Sequence, residues 1–109
     1  MEIEVGEYIR TKQGTIGKAI EKYEKYCVIA NTRGEIDVPY ENIFKYSKNI
    51  IDLVERGDFV NGEYVMQISE NIKAYGDKTI ITECSNRYFG SQIIGIVTKQ
   101  QFSNMEYRV

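Results

Sequence analysis

Short runs of β-branched and aromatic residues recur along the first half of the chain, and turn-forming residues separate them. Such runs predict β-strands, here at 8–10, 15–23, 26–31 and 35–38. A helix is the local alternative around 19–30, because Ile20, Tyr23 and Cys27 would share one helical face. We favour strands, since the stretch from 26 to 30 is β-branched and aromatic and has turns on both sides.

Pro39 is the only proline of the chain and follows the fourth predicted strand. Proline cannot donate a hydrogen bond to a sheet, and its fixed φ suits the first position of a helical turn. The pattern therefore predicts one helical turn at 40–43 and a closing strand at 43–47.

The second half shows the same kind of pattern. Asn61-Gly62 stands between two apolar runs, which is a strong local signal for a two-residue β-hairpin. Further strands are predicted at 63–69, 79–84 and 92–97, with polar loops between them. A second helical turn is expected from Thr98 to Phe102, which are spaced like Pro39 and Ile43, before a closing strand at 105–109.

One short phrase occurs twice, Gly-Glu-Tyr-Ile at 6–9 and Gly-Asp-Phe-Val at 57–60. The offset is 51 residues there but 59 between Val38 and Val97, which would require an insertion of eight residues in the second copy. We predict two tandem modules, 1–48 and 49–109, the second with a loop insertion around 69–91. The alternative is chance recurrence, because turns draw on few residue types.

Composition bounds the class of protein. The chain has 109 residues with 42% hydrophobic and 28% charged, which is typical of a globular protein. The net charge of −2 provides no basic field for nucleic acid. No apolar run approaches the roughly 18 residues of a membrane span, and the start does not resemble a secretory signal, so we expect a cytoplasmic protein without a membrane partner.

Catalytic chemistry is poorly supplied. The chain has no histidine, the usual general base and nucleophile activator. Cys27 and Cys84 are expected to be free, largely buried thiols, and nothing supports a disulfide between them. The carboxylate pairs have ordinary surface spacing, and Gly14 and Gly17 fit a β-turn better than a phosphate loop. We therefore predict no enzyme activity, no catalytic residue, no metal site and no cofactor.

One segment is locally basic, with six cations against two acids between residues 10 and 33. Tyrosines at 8, 23 and 26 interleave with them, and basic residues with aromatics can bind a phosphate backbone and stack bases. The alternative is a solvated strand edge on which lysines prevent aggregation. The six cations are Arg10, Lys12, Lys18, Lys22, Lys25 and Arg33.

Two short motifs resemble those of small β-barrels. Gly34, Val38, Pro39 and Ile43 occupy the places found at the end of an SH3 domain. The stretch 6–20 resembles the KOW motif of ribosomal and transcription-elongation proteins. The KOW positions are Gly6, Ile9, Gly14, Ile16, Gly17 and Ala19. These resemblances imply an all-β protein of two tandem small SH3-like barrel modules. The chain lacks the tryptophan with which SH3 domains grip proline-rich peptides, so that activity is not expected.

A looser resemblance extends over the chain. The stretches 46–65 and 96–109 look like small uncharacterised proteins encoded by phages and prophages of Gram-positive bacteria. The resemblance implies a phage accessory protein in the bacterial host cytoplasm that acts by binding. We expect a non-catalytic inhibitor or adaptor of a host macromolecule, such as a counter-defence protein.

A protein partner is the first expectation. It would bind at an exposed strand edge, or at tyrosine anchors in the groove between the modules. The anchor candidates are Tyr40, Tyr46, Tyr64 and Tyr107. The alternatives are a KOW-like nucleic-acid binder that uses the six cations, and a sponge for a nucleotide signal with its pocket between modules or protomers. Homo-oligomerisation is a further alternative, because barrels of about 50 residues are marginally stable alone.

Overall fold

The computed structural model describes residues 2–101 and 105–109, and these form two antiparallel sheets. The strands of the first sheet are β1 (Tyr8–Thr11), β2 (Ile16–Lys22), β3 (Tyr26–Asn31), β4 (Gly34–Pro39) and β5 (Ile43–Ser47). Their order in the sheet is β4-β3-β2-β1-β5. A 3-10 turn, Tyr40–Asn42, precedes β5.

The strands of the second sheet are β6 (Phe59–Val60), β7 (Glu63–Ser69), β8 (Thr79–Thr82), β9 (Arg87–Phe89), β10 (Gly95–Val97) and β11 (Tyr107–Arg108). Their order in the sheet is β11-β10-β6-β7-β8-β9. A 3-10 turn at Ile50–Leu53, here called the linker turn, leads into the second sheet, and a further 3-10 turn at Gly90–Gln92 precedes β10. A four-residue helix, α1 (Ile72–Tyr75), follows β7. The all-β prediction with two small sheets is confirmed.

The two sheets share one connectivity. Each is a four-stranded meander followed by a 3-10 turn and a strand that returns to the first strand, β5 to β1 and β10 to β6. The sequence pattern predicts the second 3-10 turn at Thr98–Phe102, and that prediction is wrong for Thr98, which follows β10; Phe102 lies outside the described residues. Ile93 is buried four residues after Phe89, as Ile43 is buried four residues after Pro39. The spacing is correct, but no proline marks the second copy.

The repeated phrase makes the same turn in both sheets. In each copy the glycine has a positive φ, and the acidic residue hydrogen-bonds a backbone N–H three residues earlier. In each copy the glycine N–H donates to the carbonyl of one strand residue, and the N–H of that strand residue donates to the carbonyl of the acid. The strand residue is Ala19 in β2 and Val65 in β7, and these four backbone hydrogen bonds are 2.8–3.1 Å long. The two turns are Glu4–Glu7 and Glu55–Asp58.

The copies differ most in one connection. Residues 23–25 join β2 to β3, whereas 70–78, including α1, join β7 to β8. A register shift follows Ala19 in β2 and Val65 in β7, so the strands before these loops correspond. The longer connection lies inside the region where an insertion is predicted. The module limits of 1–48 and 49–109 stay a prediction.

Each sheet packs around its own apolar cluster, but the two clusters are not independent. Ile16 projects from β2 into the cluster of the second sheet, where Tyr8 also packs. The linker turn supplies Ile50, Ile51 and Leu53 to that same cluster. The cluster of the first sheet consists of Ile3, Ile9, Ala19, Cys27, Ile29, Val38 and Ile43.

Acid is expected to weaken the second sheet through Glu63 on β7. Its carboxylate accepts hydrogen bonds from Thr82, Tyr88 and Asn86, and these bonds lower the pKa of Glu63 below its usual value. A lowered folded-state pKa gives stability that is present above the unfolded-state pKa and is lost as pH falls below about 5. Between pH 6 and pH 3 the melting temperature should therefore fall less steeply for Glu63→Gln than for the native protein. An equal slope would contradict this role, and Glu35→Gln on exposed β4 is the control.

Candidate functional site

The meander separates the predicted cations. The turn after β1 carries Lys12 and the turn after β3 carries Arg33, so these two lie at one end of the first sheet. Lys22 and Lys25 lie at the opposite end, about 20 Å away along the seven residues of β2. Lys18 lies between them, with its amine 5.1 Å from the centre of the Tyr8 ring. The cations do not form a single basic patch.

Arg10 is predicted to bind a ligand together with the other five cations, but it is completely buried between the sheets. Its guanidinium donates to Asp58 at 2.5 and 3.1 Å, to the Leu53 carbonyl at 2.9 Å and to Gln100 at 2.9 Å. Asp58 is also completely buried and accepts the backbone N–H groups of Glu55 and Lys99. Arg10 therefore joins the two sheets and is not accessible to a ligand.

The four predicted tyrosine anchors do not form one groove. Tyr64 packs edge-on against Phe59 within the second sheet, while Tyr107 packs edge-on against Tyr8 where the sheets meet. Tyr46 lies on β5 opposite Ile9, and Tyr40 packs on the cluster of the first sheet. Among the described residues, no aromatic pair joins two of the four.

Two predicted residues do share a cleft. Arg33 and Tyr107 line a space of about 80 Å³ together with Ile16 and Ile36. This volume is well below the 300–1,000 Å³ of typical small-molecule sites. The cleft is too small for a nucleotide.

The structure instead gathers three tyrosines at the end of the first sheet. The rings of Tyr23 and Tyr26 stack with centres 4.8 Å apart, and the Tyr40 hydroxyl donates to the Tyr23 carbonyl. The turn between β2 and β3 is closed by the Tyr23 N–H bonding to the Tyr26 carbonyl, and the Tyr40 N–H bonds to the Lys25 carbonyl. We call Tyr23, Tyr26 and Tyr40 the tyrosine cluster.

The tyrosine cluster is accessible. Tyr23 is 46% exposed, and Tyr26 and Tyr40 are partly exposed. The Tyr23–Tyr26 ring stack and the hydrogen bond from the Tyr40 hydroxyl to the Tyr23 carbonyl hold the three side chains together. Preorganised aromatic side chains lose little conformational entropy on binding.

Carboxylates act on the Tyr23 hydroxyl. Its hydroxyl donates to the Glu21 carboxylate, and this hydrogen bond and the charge of Glu21 raise the pKa of Tyr23, to which Asp37 adds. The stretch 21–25 contains two acids and two lysines, so it has no net positive charge. Aromatic faces flanked by carboxylates attract cations and repel phosphates.

Part of this site could have been found in the sequence. On sequence alone, Tyr23 and Tyr26 are considered only as aromatic residues that interleave with the basic residues. A Tyr-x-x-Tyr pattern at a two-residue turn places the two rings side by side across the hairpin. Tyr40 joins them because the 3-10 turn after β4 ends at the same edge of the sheet as the turn after β2.

The two cysteines show no sign of activation. Both are free, Cys27 buried and Cys84 exposed, so the prediction of burial is wrong for Cys84. Burial raises the pKa of the Cys27 thiol. Desolvation, followed by the charges of Glu63 and Glu83, raises the pKa of Cys84. Both side chains are therefore held in the less nucleophilic thiol form.

Residues 2–101 and 105–109 contain neither a metal-binding group of side chains nor a membrane-spanning helix. These residues contain no group of three or more cysteine or acidic side chains arranged to hold a metal ion. They also contain no helix with the length and apolar character needed to cross a membrane.

Comparison with known proteins gives no family for this chain. No family model, no curated protein and no solved structure matches it. The resemblances to SH3 and KOW motifs and to phage proteins therefore remain predictions, and the geometry of the tyrosine cluster carries the functional argument.

Proposed function

We propose that this protein is non-catalytic and binds a partner protein through the tyrosine cluster. The observation that carries the proposal is the gathering of Tyr23, Tyr26 and Tyr40 at one accessible end of the first sheet. Tyrosine is enriched among the few residues that dominate protein–protein binding energies, because it combines a large apolar area with a polar tip.

The partner segment should be basic. Glu21 and Asp37 act on Tyr23, so an arginine or lysine of the partner would meet both aromatic faces and carboxylates. The net charge of −2 on the whole chain favours approach of the same kind of partner. Nucleic acid is disfavoured because Arg10 is buried and the other cations are dispersed.

The resemblance to phage proteins suggests what the interaction does. A host macromolecule that is inhibited or redirected in the bacterial cytoplasm remains the proposed partner. The proposal needs no catalytic group, since occupying a functional surface of the host protein is sufficient.

Replacing Tyr23 by alanine should strongly reduce partner capture with little effect on stability. The ring is nearly half exposed, whereas loss of a binding hot spot weakens affinity by about 30-fold or more. The measurement is capture from nuclease-treated host lysate, followed by affinity measurement with the captured protein. Tyr64→Ala is the matched control, because Tyr64 is 38% exposed in the second sheet.

Two results would contradict the proposal. One is capture that persists in Tyr23→Ala, whatever the result for Tyr64→Ala. The other is capture that disappears with nuclease, or with the double change Lys12→Glu and Lys18→Glu, because either would indicate nucleic-acid binding by the dispersed cations.

A further inference from the structure

A cavity of about 540 Å³ opens where the first sheet, the linker turn and the second sheet meet. Most of its exposed lining is polar, and Tyr8 of β1, Ile51 of the linker turn and Phe89 of β9 supply the apolar and aromatic part of the wall. Gly90 continues the wall, and a Cβ placed there would lie 3.5 Å from Ile51. We call this space the junction cavity, and its volume lies within the range of small-molecule sites.

The rim of the junction cavity is acidic once its ion pairs are counted. Lys48 is 3.3 Å from Glu4, and Asp52 is 2.9 Å from Lys78. Asp77 accepts only a backbone N–H, that of Lys78, and no cation of the described residues lies within ion-pair distance of it. The rim therefore offers one carboxylate that is not ion-paired.

Asp52 is held in its charged form by its own partners. Burial opposes its charge, but hydrogen bonds from Lys78 and Ser47 prevail and lower the pKa of Asp52. An anionic nucleotide in the cavity would meet the unpaired carboxylate of Asp77, whereas Asp52 and Lys48 are both engaged in ion pairs. The charge of this cavity does not suit a nucleotide-signal sponge.

We propose that the junction cavity binds a small organic cation with an aromatic body. The ring would pack against Tyr8, Phe89 and Ile51, and the ammonium group would pair with Asp77. Because the walls come from both sheets and the linker turn, the ligand would stabilise the junction and raise the melting temperature. This site is separate from the tyrosine cluster and does not depend on the proposed function.

The test compares three indoles of similar shape and different charge by amide NMR titration of the full chain. Tryptamine is cationic, tryptophol is neutral and indole-3-acetate is anionic. We expect tryptamine to bind most tightly, with shifts centred on the amides of Ile51, Gly90 and Ser91. Asp77→Asn should weaken tryptamine about two- to fivefold and bring it close to tryptophol, because only an exposed ion pair is removed.

Three variants locate the site. Gly90→Leu should weaken tryptamine by filling the cavity, whereas Asp37→Asn and Tyr23→Ala, which alter the tyrosine cluster, should leave its affinity unchanged. The proposal is overturned if the shifts centre on Tyr23 and Tyr26, if no shifts occur at millimolar tryptamine, or if indole-3-acetate binds as tightly as tryptamine. Unchanged tryptamine affinity in Asp77→Asn also overturns it, even if Gly90→Leu fails to fold.

Discussion

Replacing Asp58 by alanine should lower the free energy of unfolding by about 3–5 kcal/mol, because it leaves the guanidinium of Arg10 buried without a counter-charge. Both side chains are completely inaccessible to solvent. The Asp58 carboxylate also accepts two backbone N–H groups, those of Glu55 and Lys99, so four donors would lose their acceptor. Such a loss is a large part of the stability of a small protein.

Urea unfolding at low temperature would measure this effect. Lys45→Ala is the matched control, because Lys45 pairs with Glu55 across the same junction but the two side chains are 35% and 24% exposed. That change should cost about 1 kcal/mol or less. Adding Arg10→Met to Asp58→Ala should recover part of the loss, since no charge then remains buried. A cost below about 1 kcal/mol for Asp58→Ala would show that the ion pair does not hold the sheets together.

The first sheet could be predicted because its signals are local. Turn residues separate the strands, and Pro39 marks the 3-10 turn that the structure places at Tyr40–Asn42. The second sheet lacks such a marker, so the sequence does not identify Ile93 and Phe89 as counterparts of Ile43 and Pro39. A repeat whose key residues have diverged is visible only once strand pairing is known.

The burial of Arg10 depends on a contact that the sequence does not reveal. The sequence indicates a surface cation at Arg10, because its partner Asp58 is 48 residues away and resembles an ordinary turn residue. Asp58 thus has two roles: it accepts the Glu55 N–H within its own turn, and it neutralises the charge of Arg10 in the first sheet. Counting local charge overstates the basic character of a segment that the meander divides between two ends.

Replacing Gly14 by alanine should disrupt the same junction by a different mechanism. Gly14 has a φ of +89°, and a Cβ there would lie 2.3 Å from the Thr98 hydroxyl oxygen and 2.8 Å from the Gln100 side-chain oxygen. Thr98 is buried and donates its hydroxyl to the Gly14 carbonyl at 2.8 Å, while Gln100 accepts from Arg10. A methyl group would therefore push the segment after β10 away from the turn after β1.

The expected cost for Gly14→Ala is about 2–4 kcal/mol, of which about 1–2 kcal/mol is backbone strain and the rest is steric overlap. Gly6→Ala separates the two terms, because Gly6 has a φ of +97° but a Cβ there would have no neighbouring atom within 4 Å. It should lose only the strain term. Urea unfolding of the two variants gives the difference directly. Equal losses would mean that the turn after β1 does not bear on the second sheet, because only Gly14 approaches that sheet closely enough for a methyl group to overlap it.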